Sequence, residues 1–188
     1  MTGKTPIQES IKISFKPFLA IALILTGLVV VGSLANDFRM KSRFNSLIDH
    51  SQVIYNHHSE NIQNILKKGE DLSKIRDVLE TINSPEKGTY HIDLVRNING
   101  SWVVYDYQVS GLDKTTLNQQ DTSLINDYLK LEESKKFGFQ KHLKSFYENF
   151  YKPYPYHNKD FFISVIPINQ DGETIGYFVV ATSKVQNN

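Results

Sequence analysis

The chain has 188 residues, 21 lysines and arginines against 20 aspartates and glutamates, and no cysteine. The balanced charge excludes the strongly basic surface that nucleic-acid binding requires. The missing cysteine excludes disulfides, thiol catalysis and thiolate-held metals.

Residues 1–16 form a polar tail carrying Lys4, Lys12 and Lys16. Residues 17–35, PFLAIALILTGLVVVGSLA, carry no charge, and at about 1.5 Å per residue they reach roughly 28 Å as a helix, close to the hydrocarbon thickness of a bilayer. One transmembrane helix is expected here. The later apolar runs WVVYDY, FFISVIPI and IGYFVV are short, aromatic or β-branched and bounded by turn residues, which is how strands read. A cleaved secretory signal is the competing reading, with the three lysines as its basic region and Ser33-Leu34-Ala35 as the small-x-small site. The apolar run exceeds the usual length of about 7–15 residues for such a segment, which favours retention. Arg39, Lys41 and Arg43 nearly balance the lysines before the helix. Because large domains are exported largely regardless of charge, the tail is expected in the cytoplasm and residues 36–188 outside.

Within the apolar helix Ala22, Thr26, Val29 and Ser33 fall near one face, with Gly27 and Gly32 beside it. Small residues let membrane helices approach closely, so these six are the candidate face for self-association; ordinary helix filling is the alternative.

Beyond the anchor, Phe44, Leu47, Ile48, Ile54, Tyr55, His58, Ile62, Ile65 and Leu66 recur at helical spacing and predict a long helix leaving the membrane. Gly69 and Asp71 interrupt it. Ser73 is expected to cap a second helix carrying Ile75, Val78, Leu79 and Ile82, which ends at Ser84-Pro85 because proline disfavours helix in the residue before it. The period then turns to alternation: TYHIDLVRNINGSWVVYDYQV places Asn99-Gly100 between two β-rich runs, and this dipeptide supplies the positive φ angles of a two-residue hairpin turn. From Thr115 to about Tyr151 the spacing predicts two helices in a crossover, broken around Phe137-Gly138. A second hairpin follows, DFFISVIPINQDGETIGYFVVATS, with Asp171-Gly172 in its turn and Gly176 where backbone passes close or bends. The order of elements predicts an α+β fold: a transmembrane helix continuing into a long helix, then an antiparallel sheet of two hairpins with helices on one side.

No nucleophile elbow, phosphate loop, dinucleotide fingerprint or zinc-protease pair is present, so no enzyme activity and no cofactor are expected. His57 and His58 would project about 100° apart on a helix, unlike the i, i+4 spacing of paired imidazole ligands, and no metal is assigned to them. The aromatic stretch FYENFYKPYPYHNKDFF offers stacking faces, hydroxyls and a cation. Tyr154, Tyr156, His157 and Lys159 of this stretch, with Tyr105 and Tyr107 of WVVYDYQV, are the candidate ligand or partner surface. The competing reading is that these aromatics cover a sheet edge.

Two family resemblances rest on the final hairpin. IPINQDGETIGYFVV, with Pro167, the Asp171-Gly172 turn and Gly176, resembles the closing strands of the extracytoplasmic PAS-like (Cache) domains of bacterial sensors. That resemblance implies a PAS-like sheet, a small ligand and a membrane signalling partner. In that family the chain continues into a second membrane helix and an output, whereas this sequence ends shortly after the hairpin. The same segment, around Ser164, Asn169, Asp171 and Gly176, together with the layout of short tail, one span and one domain, resembles the T-type (class III, single-span) phage holins. This second resemblance implies a non-enzymatic lysis-timing protein of the host inner membrane. It would have a cytoplasmic N-terminus and a periplasmic domain, oligomerise with itself in the lipid bilayer into lesions that release endolysin, and receive an antiholin.

Overall fold

The computed structural model describes residues 16–67, 69, 71–83, 90–108, 111–150 and 161–183. Helix α1 runs from Lys16 to Lys67, and the molecule divides into two units between Arg39 and Met40. In the first unit the apolar residues of α1 are all exposed. Among the described residues, α1 is the one helix long and apolar enough to cross a membrane, with a mean hydropathy of 2.6 over its best window. The Thr26 hydroxyl donates to the Ala22 carbonyl at 2.8 Å, so this side chain is satisfied by its own helix. A Cβ at Gly27 or Gly32 would meet open space.

In the second unit α1 buries Phe44, Leu47, Ser51, Ile54, Tyr55, Ile62 and Leu66, the helical stripe that the sequence spacing predicts. Gly69 follows with φ 105°, a left-handed conformation that glycine adopts at little cost. Helix α2 (Leu72–Asn83) buries Ile75, Leu79 and Ile82. Its cap is Asp71 rather than the expected Ser73: Asp71 Oδ1 accepts the Lys74 backbone N–H at 3.3 Å and the Ser73 hydroxyl at 2.7 Å, so Ser73 supports the capping carboxylate instead of replacing it.

Strands β1 (His91–Ile98), β2 (Ser101–Gln108) and β3 (Gly111–Thr116) precede helices α3 (Gln119–Leu129) and α4 (Glu133–Phe150); strands β4 (Phe161–Gln170) and β5 (Glu173–Ser183) follow. They form one five-stranded sheet in the order β3-β2-β1-β5-β4, with every neighbouring pair antiparallel. Asn99 and Gly100 have φ 52° and 84°, and Asp171 and Gly172 have φ 52° and 85°, the left-handed pairs that tight hairpin turns require.

Further sequence expectations need correction. The sheet contains β3, which a count of two hairpins omits; residues 113–116 of GLDKTT are exposed, so that strand lacks the apolar alternation by which strands are recognised. The break between the crossover helices falls at residues 130–132 rather than at Gly138, which lies inside α4. Helix α3 starts where Asn118 accepts the Asp121 N–H at 2.8 Å.

The sheet is covered on both faces, not by helices on one side as the order of elements predicts, because the crossover helices α3 and α4 return across the face opposite α1 and α2. On one, α1 and α2 pack over Ile92, Leu94, Tyr105, Phe178 and Val180. On the other, Ile125, Tyr128 and Leu143 of α3 and α4 meet Val95, Val104, Val165 and Val179. At edge strand β4, the Gln140 side chain of α4 closes both backbone groups of Ile163, at 2.8 Å to its N–H and 2.9 Å to its carbonyl. That leaves less of the edge open for pairing with another chain. At Gly176 a Cβ would stand 2.5 Å from the Val95 carbonyl oxygen, so only glycine lets β5 lie against β1 there.

Candidate functional site

The α3–α4 face of the sheet carries the one group of three convergent metal-type donors found among the described residues: His91, Asp93 and Asp106. Their placement follows from strand geometry. Alternation puts residues 91, 93 and 95 of β1 on one face, and Val95 identifies that face as the one under α3 and α4. Asp106 of β2 stands directly opposite Asp93, and Asp113 of β3 directly opposite Asp106. Three carboxylates thus lie in one row across three adjacent strands, and on β5 the row continues as Val179, the partner of Asp93 on its other side. Like charges directly opposite on neighbouring strands destabilise a sheet.

His91 lies one step along this face. Its Nε2 is 2.7 Å from Asp106 Oδ1, in hydrogen-bonding alignment, and 3.2 Å from Asp93 Oδ1. A single ring N–H cannot serve both carboxylates well, and the buried Asp93 Oδ1 is left without a hydrogen-bond partner. The side chains of His91, Asp93 and Asp106 are 15%, 1% and 8% exposed, so solvent reaches the cluster chiefly past the imidazole. The β1–β2 pairing begins at Asp93 and Asp106. One residue earlier, the Asn83 side chain of α2 takes both the N–H of Ile92, at 3.1 Å, and its carbonyl, at 3.0 Å. The cluster therefore sits where the two strands begin to pair, with its backbone held by a side-chain amide.

Burial is the largest influence on the Asp93 carboxyl, and with the Asp106 charge opposite it outweighs the attraction of His91, raising the group to about 7. On His91 burial acts downward, but the two carboxylates together overcome it and raise the imidazole to about 10. Near neutral pH the cluster is an imidazolium held between two acids, one of which is reluctant to ionise. The two carboxylates favour a positive charge between them, which the imidazolium supplies and which a bound cation would supply once that proton is lost.

The residues named from sequence fall elsewhere. Tyr105 is fully buried on the α1–α2 face and Tyr107 is half-buried against the same core; both are on the side of the sheet away from His91. Tyr154, Tyr156, His157 and Lys159 lie outside the described residues. Ala22, Thr26, Gly27, Val29, Gly32 and Ser33 are exposed along the apolar stretch of α1. His57 and His58 stack edge-on at 4.7 Å, with His58 lowered by burial and then by its neighbour.

Sequence reasoning missed His91, Asp93 and Asp106, although the signal was present. A two-residue turn at 99–100 pairs position 93 with position 106, and position 91 shares their face by alternation. No family model matches the chain, and no curated protein or solved structure shows significant similarity to it.

Proposed function

We propose that this chain is a single-pass membrane protein whose α+β unit is an extracytoplasmic sensory domain, binding a small cationic ligand at the His91–Asp93–Asp106 cluster. The observation that carries the reading is the buried carboxylate pair. Asp93 and Asp106 face each other on adjacent strands with one imidazole between them, which offsets part of their repulsion and leaves the rest for a bound cation to relieve. A membrane-type helix followed by a five-stranded antiparallel sheet supports the reading, alongside the PAS-like (Cache) resemblance of the closing hairpin. In such domains a membrane-anchored helix precedes a sheet that binds the signal.

The test uses the full chain in detergent micelles and a panel of amines, amino acids and divalent metal salts. The reading predicts at least one compound that raises the melting temperature saturably, with the rise lost in Asp93→Asn. A panel without effect, or an effect that survives Asp93→Asn, contradicts it.

A second reading, a holin-like protein that assembles in the host inner membrane and receives an antiholin, is favoured by one observation. The apolar stretch of α1 is exposed throughout, with open space around Gly27 and Gly32, and close helix packing in lipid uses such small residues. Inducing the chain alone in bacteria separates the two. Abrupt growth arrest after a delay, postponed by Gly27→Leu or Gly32→Leu, supports the holin reading; undisturbed growth at high membrane levels contradicts it.

A further inference from the structure

We propose that His91, Asp93 and Asp106 form a binding site for one divalent transition-metal ion of the zinc class, with a fourth position left for water or a ligand atom. This rests on the reading of that sheet face as a binding site and names what the site takes.

Three observations select a metal ion over an organic cation. First, one donor atom from each residue lies within 4.8 Å of the other two, so the atoms converge on a point rather than line a cavity. Donor atoms bound tetrahedrally to zinc at about 2.0–2.1 Å stand about 3.3 Å from one another. Here Nε2 is 2.7 Å from one carboxylate oxygen and 3.2 Å from the other. Seating an ion requires the Asp106 contact to lengthen and the Nε2 proton to leave for solvent, so the affinity should rise with pH.

Second, Asp93 is 1% exposed, and its Oδ1 points into the cluster with no aligned hydrogen bond, the nearest donor being the His91 Nε2 at 3.2 Å that already serves Asp106. A buried carboxylate oxygen without a donor is costly, and a bare ion supplies the missing partner. The organic body attached to an ammonium group would have to fit where Asp93 is already enclosed.

Third, the donor set is one imidazole and two carboxylates. Calcium takes six to eight oxygen ligands and magnesium prefers an octahedral, largely hydrated shell, whereas imidazole with carboxylate suits zinc and its neighbours in the first transition series. The protein also fixes the site from behind. The Asn83 amide holds the backbone of Ile92, between the two β1 donors, at 3.0 and 3.1 Å, and the sheet register fixes Asp106 opposite Asp93. Two donors come from alternate residues of one strand and the third from its hydrogen-bonded neighbour, so the arrangement does not depend on a loop.

The experiment is calorimetric titration of the full chain in detergent micelles with zinc chloride, repeated with magnesium chloride, and cobalt(II) substitution read by visible absorption. Four proteins are compared: wild type, Asp93→Asn, His91→Gln, and the double variant His57→Ala/His58→Ala. The expected result is one equivalent of zinc per chain and no magnesium binding. Cobalt bands of low-symmetry coordination are expected too, with affinity at least about tenfold weaker in both site variants and unchanged in the double variant. The Trp102 emission of each variant, recorded before titration, shows that it is folded.

Absence of zinc binding at millimolar concentration overturns the proposal. So does zinc binding that survives both site variants or disappears in the double variant, which would place the ion at the His57–His58 pair. An amine that stabilises the protein through Asp93 while zinc does not bind also overturns the metal assignment, but it leaves the sensory reading of the face standing. If neither zinc nor any compound of the panel acts through Asp93, both fail.

Discussion

The two faces of the sheet use the same strands to different ends. The α1–α2 face is a continuous apolar layer in which Phe44, Tyr105, Phe162 and Phe178 are fully buried and aromatic rings meet at 5.7 Å, as Tyr55 and Phe178 do. The α3–α4 face is apolar over Val165 and Val179 but turns, along a single row, into Asp93, Asp106 and Asp113. One face is optimised for burial; the other gives up part of its packing to hold charge. Local departures of this kind concentrate at binding sites, because stability and function draw on the same residues.

That contrast can be broken by substitution, with the unfolding of the full chain followed by the emission of Trp102, whose ring lies 4.6 Å from that of Tyr177. Phe178→Ala, at the centre of the apolar face, should be the most damaging, at about 3–5 kcal/mol. A loss below about 1 kcal/mol would mean that this layer collapses around the gap and is not the main core. Gly176→Val forces side-chain atoms onto the Val95 carbonyl of β1 and is expected to cost about 1–3 kcal/mol through overpacking. Unchanged stability would show that β5 can shift away from β1.

On the other face Gln140→Ala removes both bonds to Ile163 and leaves buried backbone groups open, for about 1–3 kcal/mol. Gln140→Glu should fail to restore the loss, since a carboxylate cannot donate to the Ile163 carbonyl. The smallest effect is at the start of α3, where Asn118→Ala removes a cap for about 1 kcal/mol. Replacement by Ser, which can still accept the Asp121 N–H without setting a second carboxylate against the buried Asp121 side chain, should recover part of it.

Much of this architecture was legible in the sequence because local rules and tertiary structure agree. The stripe from Phe44 to Leu66 appears in α1, the Asn99-Gly100 and Asp171-Gly172 turns appear with left-handed backbone, and the close approach at Gly176 is where the chain reads it. Strand β3 escaped because its residues 113–116 face solvent and carry no burial pattern. The break between α3 and α4 was misplaced because Gly138 is tolerated inside a helix when nothing else ends it.

The cluster escaped for a different reason. His91 and Asp93 read as the polar half of an ordinary alternating strand, and only the register of β1 with β2 shows that those polar residues are buried and converge. Tyr105 was named for its aromatic ring, yet the alternation that buries Ile92 and Leu94 with it places it in the core on the far side of the sheet.

The central claim is that the carboxylate row is there to bind and is a burden to the empty fold. It is tested most directly by denaturant unfolding of the full chain and of Asp93→Asn, both with EDTA present, at pH 5 and pH 8. Asp93 is raised from 3.8 to about 7 by burial, with Asp106 adding to the rise. Between those values the folded state holds a proton that the unfolded state has released, so this group's contribution to stability falls as pH rises from about 4 to about 7. Asp106 and Asp113 stand in its row and His91 beside it; the variant also lowers His91, which the Asp93 charge helps to hold raised, so the gain at pH 8 is what remains after that loss. The account predicts that Asp93→Asn unfolds at higher denaturant than wild type at pH 8, with an advantage that shrinks at pH 5. If the variant is less stable than wild type at pH 8, the cluster is a structural element of the fold and the assignment of this face as a binding site is contradicted.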